Sequence, residues 1–223
     1  MPDASALALT AWLAFLVTVI LLLLATPLAW WLSRTQSRAK PVVEAIVALP
    51  LVLPPTVLGF YLLILFTPEN PLGAVWVQLT GSTLTFSFTG LVVASIIYSL
   101  PFAVQPLQTA FERIGTGLME AAASLGARPW DAFFNIAAPL SWRGFLTAAV
   151  LSFAHTIGEF GVVLMVGGNI PGETRTVSIA IYEHVETMDY GEAHTLSAIL
   201  LFVSFSVLLV VYGLGRRRAL HVG

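Results

Sequence analysis

Along the chain, apolar residues gather into five long runs, at roughly 6 to 31, 43 to 66, 86 to 110, 144 to 167 and 195 to 213, and nearly every charge falls between them. At about 1.5 Å of helical rise per residue, each run is long enough to cross about 30 Å of hydrocarbon. None shows the ten-residue alternation of a barrel strand, and in lipid the helix is the other structure that satisfies its own backbone polar groups. The pattern predicts an all-α polytopic membrane protein with five transmembrane helices in a single membrane domain, residues 1–223. The first run is too long for the apolar core of a secretory signal and has no basic residue ahead of it, so it is read as a retained span.

Two polar stretches carry helical patterns of their own. Residues 112–143 have helix-forming composition from Glu112 to about Leu125, a stop at Gly126, and a second helix start at Pro129, where a missing N–H costs nothing. Asp131 suits the positive end of that second helix, and Pro139 is expected to close it before the next span. Ala121, Ala122 and Ala123 leave a flat face beside the Glu120 carboxylate. That surface suits docking, and it suits an ordinary solvated loop helix equally well. Farther on, residues 175–188 place Val177, Ile181 and Val185 four apart with Glu183 and Glu186 on another face, which predicts a short amphipathic helix packed on the spans.

Composition removes the soluble alternatives. The chain is 57% hydrophobic and 10% charged, with a mean hydropathy of +0.89, beyond what a soluble domain tolerates. The lack of cysteine excludes disulfides, thiolate metal sites and cysteine nucleophiles. A net charge of −2 says little about partners, but its distribution sets an orientation. Arg34, Arg38, Lys40, Arg113, Arg128, Arg143, Arg216, Arg217 and Arg218 fall on one side of a five-span arrangement, which leaves only Arg175 on the other. Basic loops stay inside, so the N-terminus is predicted outside, the C-terminus cytoplasmic, and residues 112–143 cytoplasmic. The outer loops are acidic, with Glu69, Glu173, Glu183, Glu186, Asp189 and Glu192.

Candidate chemistry is sparse. No phosphate-binding G-x-x-x-x-G-K-[ST] loop is present, and Gly115-Thr116-Gly117 lacks the lysine. His155, His184, His194 and His221 are scattered, so catalytic residues and metal ligands are not expected. Pro50, Pro54 and Pro55 remove donors from the second run and predict a kink, which either shapes packing or lines a path. Glu159, an ionisable group in the fourth run, follows His155 by four residues and is expected on the same helical face. A secondary transporter commonly has an internal repeat and charged groups near midplane; no repeat is visible and only Glu159 qualifies.

Glu120-Ala121-Ala122, then Gly126, Ile136 and Pro139 at their spacing, resembles the cytoplasmic loop of bacterial ABC-importer permeases, with Ala138 where that family often has leucine before the proline. The resemblance implies that Glu120, Ala121, Ala122 and Gly126 belong to a coupling helix between spans three and four that docks on an ATPase subunit. Leu49 to Gly59, Gly158-Glu159-Phe160-Gly161 and Asn169 to Thr176 are similar to the molybdate importer permeases, over about residues 10 to 215. Sulfate, thiosulfate and tungstate permeases remain alternatives.

The resemblance further implies alternating access in the bacterial cytoplasmic membrane. The implied partners are a second copy of the subunit, two cytosolic ATP-binding subunits, an extracytoplasmic oxyanion-binding protein and membrane lipid. No nucleic acid, cofactor or metal is implied, and ATPase activity is expected on a separate subunit. Pro54, Pro55, Thr56 and Glu159 become candidates for the translocation path or gate. A carboxylate is a poor ligand for a dianion, so Glu159 is expected to bond His155 or a neighbouring span. Arg175 is a candidate outer-surface contact, with local pairing to Glu173 as the plainer expectation.

Overall fold

Thirty-one residues from Ala4 to Arg34 form one helix, α1, whose first turn is capped by the Asp3 carboxylate accepting from the Ala6 N–H. The computed structural model describes residues 3–217, with side chains as far as Leu209; Arg216 and Arg217 are described as backbone alone, and Arg218 and His221 lie outside the described residues. α1 buries Thr10, Leu13, Val17, Leu21, Ala25, Ala29 and Leu32, a stripe at spacings of three and four, and exposes Trp12, Phe15, Leu23 and Leu24 on the other face. Its buried hydroxyls are satisfied within the helix: Thr10 and Thr18 each donate to the carbonyl four residues back at 2.7 Å.

Helix α1 packs on α5 (Phe88–Glu112) and α9 (Trp142–Gly158), and these three make the centre of the molecule. At one end Trp30 meets Phe111 and Phe133 edge to face, at 5.2 and 5.0 Å between ring centroids. Lys40 reaches Glu112 at 3.8 Å there, while Asp3 reaches Arg175 at the far end. Arg34, Lys40, Arg113 and Arg143 thus gather at one end of the bundle and Arg175 at the other.

The second apolar run is two helices. α2 (Lys40–Val52) and α3 (Pro55–Phe66) meet at 112°. Pro54 and Pro55 supply no N–H and push the residue ahead of each into extended backbone: Leu53 has ψ 136° and Pro54 ψ 136°. The expected kink is therefore a full break. The fourth run, expected as one span over 144–167, also breaks, with α9 ending at Gly158 and α10 (Gly161–Gly167) beginning after an extended Glu159. α10 lies on α3 through small residues; a Cβ on Gly59 would come within 2.8 Å of Met165 Cβ, and one on Gly161 within 2.7 Å of Pro55 Cβ.

The remaining elements are short except the last. α4 (Pro71–Thr80), which the hydropathy pattern did not reveal, closes on a left-handed Gly81. α11 (Val177–Glu186) buries Val177, Ile179 and Ala180, whereas Val185, expected on its buried stripe, is exposed. α12 runs from Tyr190 to Arg217. Among the described residues three helices, α1, α5 and α12, are long and apolar enough to cross a membrane, or five spans if each of two bent helix pairs counts as one.

In the 112–143 segment, Glu112 belongs to α5 and not to the following helix, a correction to the expected helix from Glu112 to Leu125. Gly115 has φ +70°, and the turn there separates α5 from α6 (Gly117–Ser124). After Gly126 come α7 (Pro129–Ala132), a π-helical turn over Phe133–Ala137 and α8 (Ala138–Leu140). Pro139 does not stop the helix, because it sits in the first turn of α8, where no N–H is required. The direction changes instead by 70° at Ser141.

Candidate functional site

The two broken runs face each other across a cavity of about 470 Å³. Its lining includes Pro55 and Thr56 from the start of α3, Tyr98 from α5, His155 from α9, and Glu159 and Gly161 from the second break. Three of the four expected path residues are brought together; Pro54 sits at the bend, outside the lining. Depth follows from α5: Ser99 is the twelfth of its 25 residues, and its hydroxyl lies 2.8 Å from His155 Nδ1 and 3.1 Å from Thr156 Oγ1. The cavity is therefore about halfway along the bundle, where non-helical backbone is tolerated only against protein or a water-lined space.

Glu159 does not pair with His155. The helix ends one residue earlier, and the extended backbone at Glu159 (ψ 130°) takes the side chain out of the four-residue helical register. His155 instead stacks on Phe102 at 4.0 Å and lies 4.7 Å from the Tyr98 ring. The Glu159 carbonyl accepts from the Ser178 hydroxyl at 2.5 Å, which ties the break to α11. Glu159 is 3% exposed, and its carboxylate faces the Ser95 hydroxyl of α5 without the two closing a full hydrogen bond. Burying a carboxylate with so little compensation is costly, so the site holds an under-satisfied acceptor at mid-depth. Ser95 and Ser99 are not among the sequence-predicted path residues, although two serines four apart in an apolar run are a signal for a polar helix face.

At the Asp3 end, Arg175 pairs with Glu183 and with Asp3 at 3.4 Å, not with Glu173. α11 turns Glu183 back toward the arginine, and Asn169 donates to the same carboxylate at 2.7 Å. The Asp3 carboxyl is held below the ordinary aspartate value chiefly by the Ser5 hydroxyl, with help from the Ala6 N–H and Arg175. The candidate outer contact is thus half committed to joining α1 to α11.

At the Arg34 end, α6 presents Glu120 and Ala121 to solvent and turns Ala122 inward at 7% exposure. Gly126 is left-handed at φ +84°; its N–H bonds the Ala123 carbonyl at 2.9 Å and the Ala127 N–H bonds the Ala122 carbonyl at 3.0 Å. This is the Schellman closure that glycine permits, and it is why the chain turns there. Leu118, Leu125, Trp130 and Phe134 are exposed around it, an apolar patch of the kind that marks contact surfaces.

The family described as "Binding-protein-dependent transport system inner membrane component" matches residues 22–219. The chain belongs to this family. Its members are transport components of the inner membrane, and the match takes in both broken runs and the whole 112–143 segment. Within it, the chain is 57% identical to the molybdenum transport system permease protein ModB of Azotobacter vinelandii, over 97% of this chain and 96% of that protein. It is also 35% identical to a probable sulfate transport system permease protein, cysT, of Anthoceros angustus, over 93% of this chain and 72% of that one. Among solved structures, a bacterial alginate ABC transporter in complex with its alginate-bound periplasmic protein has the same fold, with a TM-score of 0.76 at 18% identity, covering 96% of this chain and 78% of that one.

Proposed function

We propose that this chain is the permease subunit of an ABC importer that moves molybdate across the inner membrane by alternating access. The near-full-length likeness to the Azotobacter molybdenum permease carries that reading. Two copies enclose the path, an external oxyanion-binding protein delivers the ion, and two cytosolic ATP-binding subunits drive the change of state. The chain spans the membrane five times, with the Asp3 end outside and the Arg34 end cytoplasmic, in keeping with the gathering of basic residues at the latter.

Each region then has a task. α6, through Glu120, Ala121, Ala122 and the turn at Gly126, seats on the ATP-binding subunit and transmits its closure. The mid-depth cavity behind Pro54, Pro55 and Thr56 belongs to the path, and the breaks in both runs let its walls move against each other. No cation lines that cavity. Weak retention of the anion follows, which suits a conduit whose selectivity resides in the delivery protein. Arg175 steadies the outer face where that protein lands.

The sulfate relative keeps a second cargo open, and growth separates the two. Cells that lose this chain grow poorly on molybdenum-dependent metabolism at trace molybdate and recover with excess molybdate. Failure for want of sulfur, with molybdenum-dependent growth intact, overturns the molybdate assignment.

A further inference from the structure

A larger cavity, of about 740 Å³, opens at the Arg34 end between α5 and α9, beneath α6. Arg113 and Arg143 stand on its two sides, Gln105, Thr109 and Thr147 add polar groups, and no carboxylate lines it. Glu112, beside Arg113 in sequence, is engaged elsewhere, with Lys40 at 3.8 Å and Gln108 at 3.0 Å. Among the described residues neither arginine has a carboxylate partner; Arg143 lies over the Trp142 ring at 5.6 Å, a contact that leaves its N–H groups available.

Ser141 supplies the second observation. It lines the same cavity, is 2% exposed, and its hydroxyl has no hydrogen-bond partner. It is also the residue that precedes α9, yet its side chain caps no N–H of that helix. Serine at such a position ordinarily accepts from the second or third helical N–H. Here the hydroxyl is left free at the positive end of a 17-residue helix, on the wall of a cavity that two arginines also line. Two forked cations, one buried donor, a helix N-terminus and no acid make a set that matches an anion with several oxygens and more than one negative charge.

We infer that the Arg113–Arg143–Ser141 cavity binds a tetrahedral oxyanion. The shared chemistry belongs both to the free transported ion and to the phosphate of a lipid headgroup. On the import reading, on which the sidedness of this site rests, the cavity lies on the cytoplasmic side, where the ion leaves the path. It is separate from the mid-depth cavity, with which it shares no lining residue.

The test uses the full chain assembled with its ATP-binding subunits in nanodiscs of phosphatidylcholine, with equilibrium binding of radiolabelled molybdate and competition by sulfate. Saturable binding is expected, weakened about tenfold by Arg113→Gln or Arg143→Gln, because a charge-assisted contact is lost, and by less in Ser141→Ala. Arg113→Lys and Arg143→Lys, which keep the charge, should retain part of the binding; co-purification of the ATP-binding subunits reports that each variant is folded. With phosphatidylglycerol added, arginine-dependent retention of that lipid, seen by native mass spectrometry, together with loss of molybdate binding identifies the headgroup as the occupant and still supports the site. If neither molybdate, sulfate nor phosphatidylglycerol binding changes in an assembled Arg113→Gln, Arg143→Gln double variant, the proposal is overturned. Arginine-dependent sulfate binding in cells whose molybdenum-dependent growth does not need the chain would instead show that the site stands and the cargo assignment fails.

Discussion

His155 Nδ1 lies 2.8 Å from the Ser99 hydroxyl, so the histidine at mid-depth is held by α5 and not by Glu159, the carboxylate that follows it by four residues. The consequence falls on Glu159. Fixed by its backbone to Ser178 and turned out of α9, it presents a carboxylate that only the loosely placed Ser95 hydroxyl is shown to face, where the two broken runs meet. In an alternating-access permease, an acceptor unmet in one state is a group that a donor can reach in another, and the cost of leaving it unmet biases the equilibrium between them.

Glu159→Gln should therefore be neutral or stabilising. The amide keeps the shape and removes the acid, and a gain of up to about 1 kcal/mol corresponds to a few degrees in Tm. Ser99→Ala should act in the opposite direction, at about 1–3 kcal/mol, because it strips a partner from both His155 and Thr156. Thermal unfolding of the detergent-solubilised protein measures both. A marked fall in Tm for Glu159→Gln would mean that the Ser95 hydroxyl satisfies the carboxylate in full.

The α3–α10 contact should be intolerant of side chains. Gly161→Val places carbon where Pro55 Cβ already stands at 2.7 Å, and a backbone shift at the two breaks is the only relief. A loss of about 1–3 kcal/mol is expected, with slower transport at normal expression. Gly126→Ala is the contrast. Nothing lies within 4 Å of a Cβ there, so only the left-handed backbone is penalised, by about 1 kcal/mol. Equal effects at the two positions would remove the packing account.

Much of this fold is written in hydropathy, because each apolar run must satisfy its own backbone in lipid and the helix is the available solution. The stop at Gly126 and the start at Pro129 were legible for a local reason, since one requires positive φ and the other tolerates a missing N–H. The breaks were less so. Proline marks the first, at Pro54, but nothing in Gly158-Glu159-Phe160-Gly161 forbids a helix outright; that break rests on α10 settling against α3 and on the Ser178 hydroxyl, both distant in sequence. The partner of Arg175 was missed for the same reason, as Glu183 reaches it only once α11 has formed and Asp3 only once α1 has docked.

Sidedness is testable because the chain has no cysteine of its own. Single variants Arg128→Cys and Glu186→Cys place thiols at positions that are exposed at opposite ends of the bundle. A membrane-impermeant maleimide should label the second from outside intact cells and the first only after the membrane is opened. The reverse pattern overturns the orientation.

Glu120→Lys should separate assembly from insertion. The side chain is exposed on α6, has no ion pair among the described residues, and stands beside an inward-turned Ala122, so reversing its charge leaves the fold of the subunit intact. On a docked surface the same change sets a cation where a carboxylate was received, and the loss of a hot-spot contact costs about 2 kcal/mol, or about thirtyfold in affinity. The expected outcome is normal membrane insertion, reduced co-purification of the ATP-binding subunits or ATP hydrolysis that no longer responds to the loaded binding protein, and uptake reduced by about tenfold or more. Glu120→Gln, which keeps a hydrogen-bond acceptor, should fall between the variant and wild type. Uptake at the wild-type rate in Glu120→Lys would mean that α6 is a solvated loop helix, and coupling would then have to pass through the exposed Trp130 and Phe134 on the other arm of the turn.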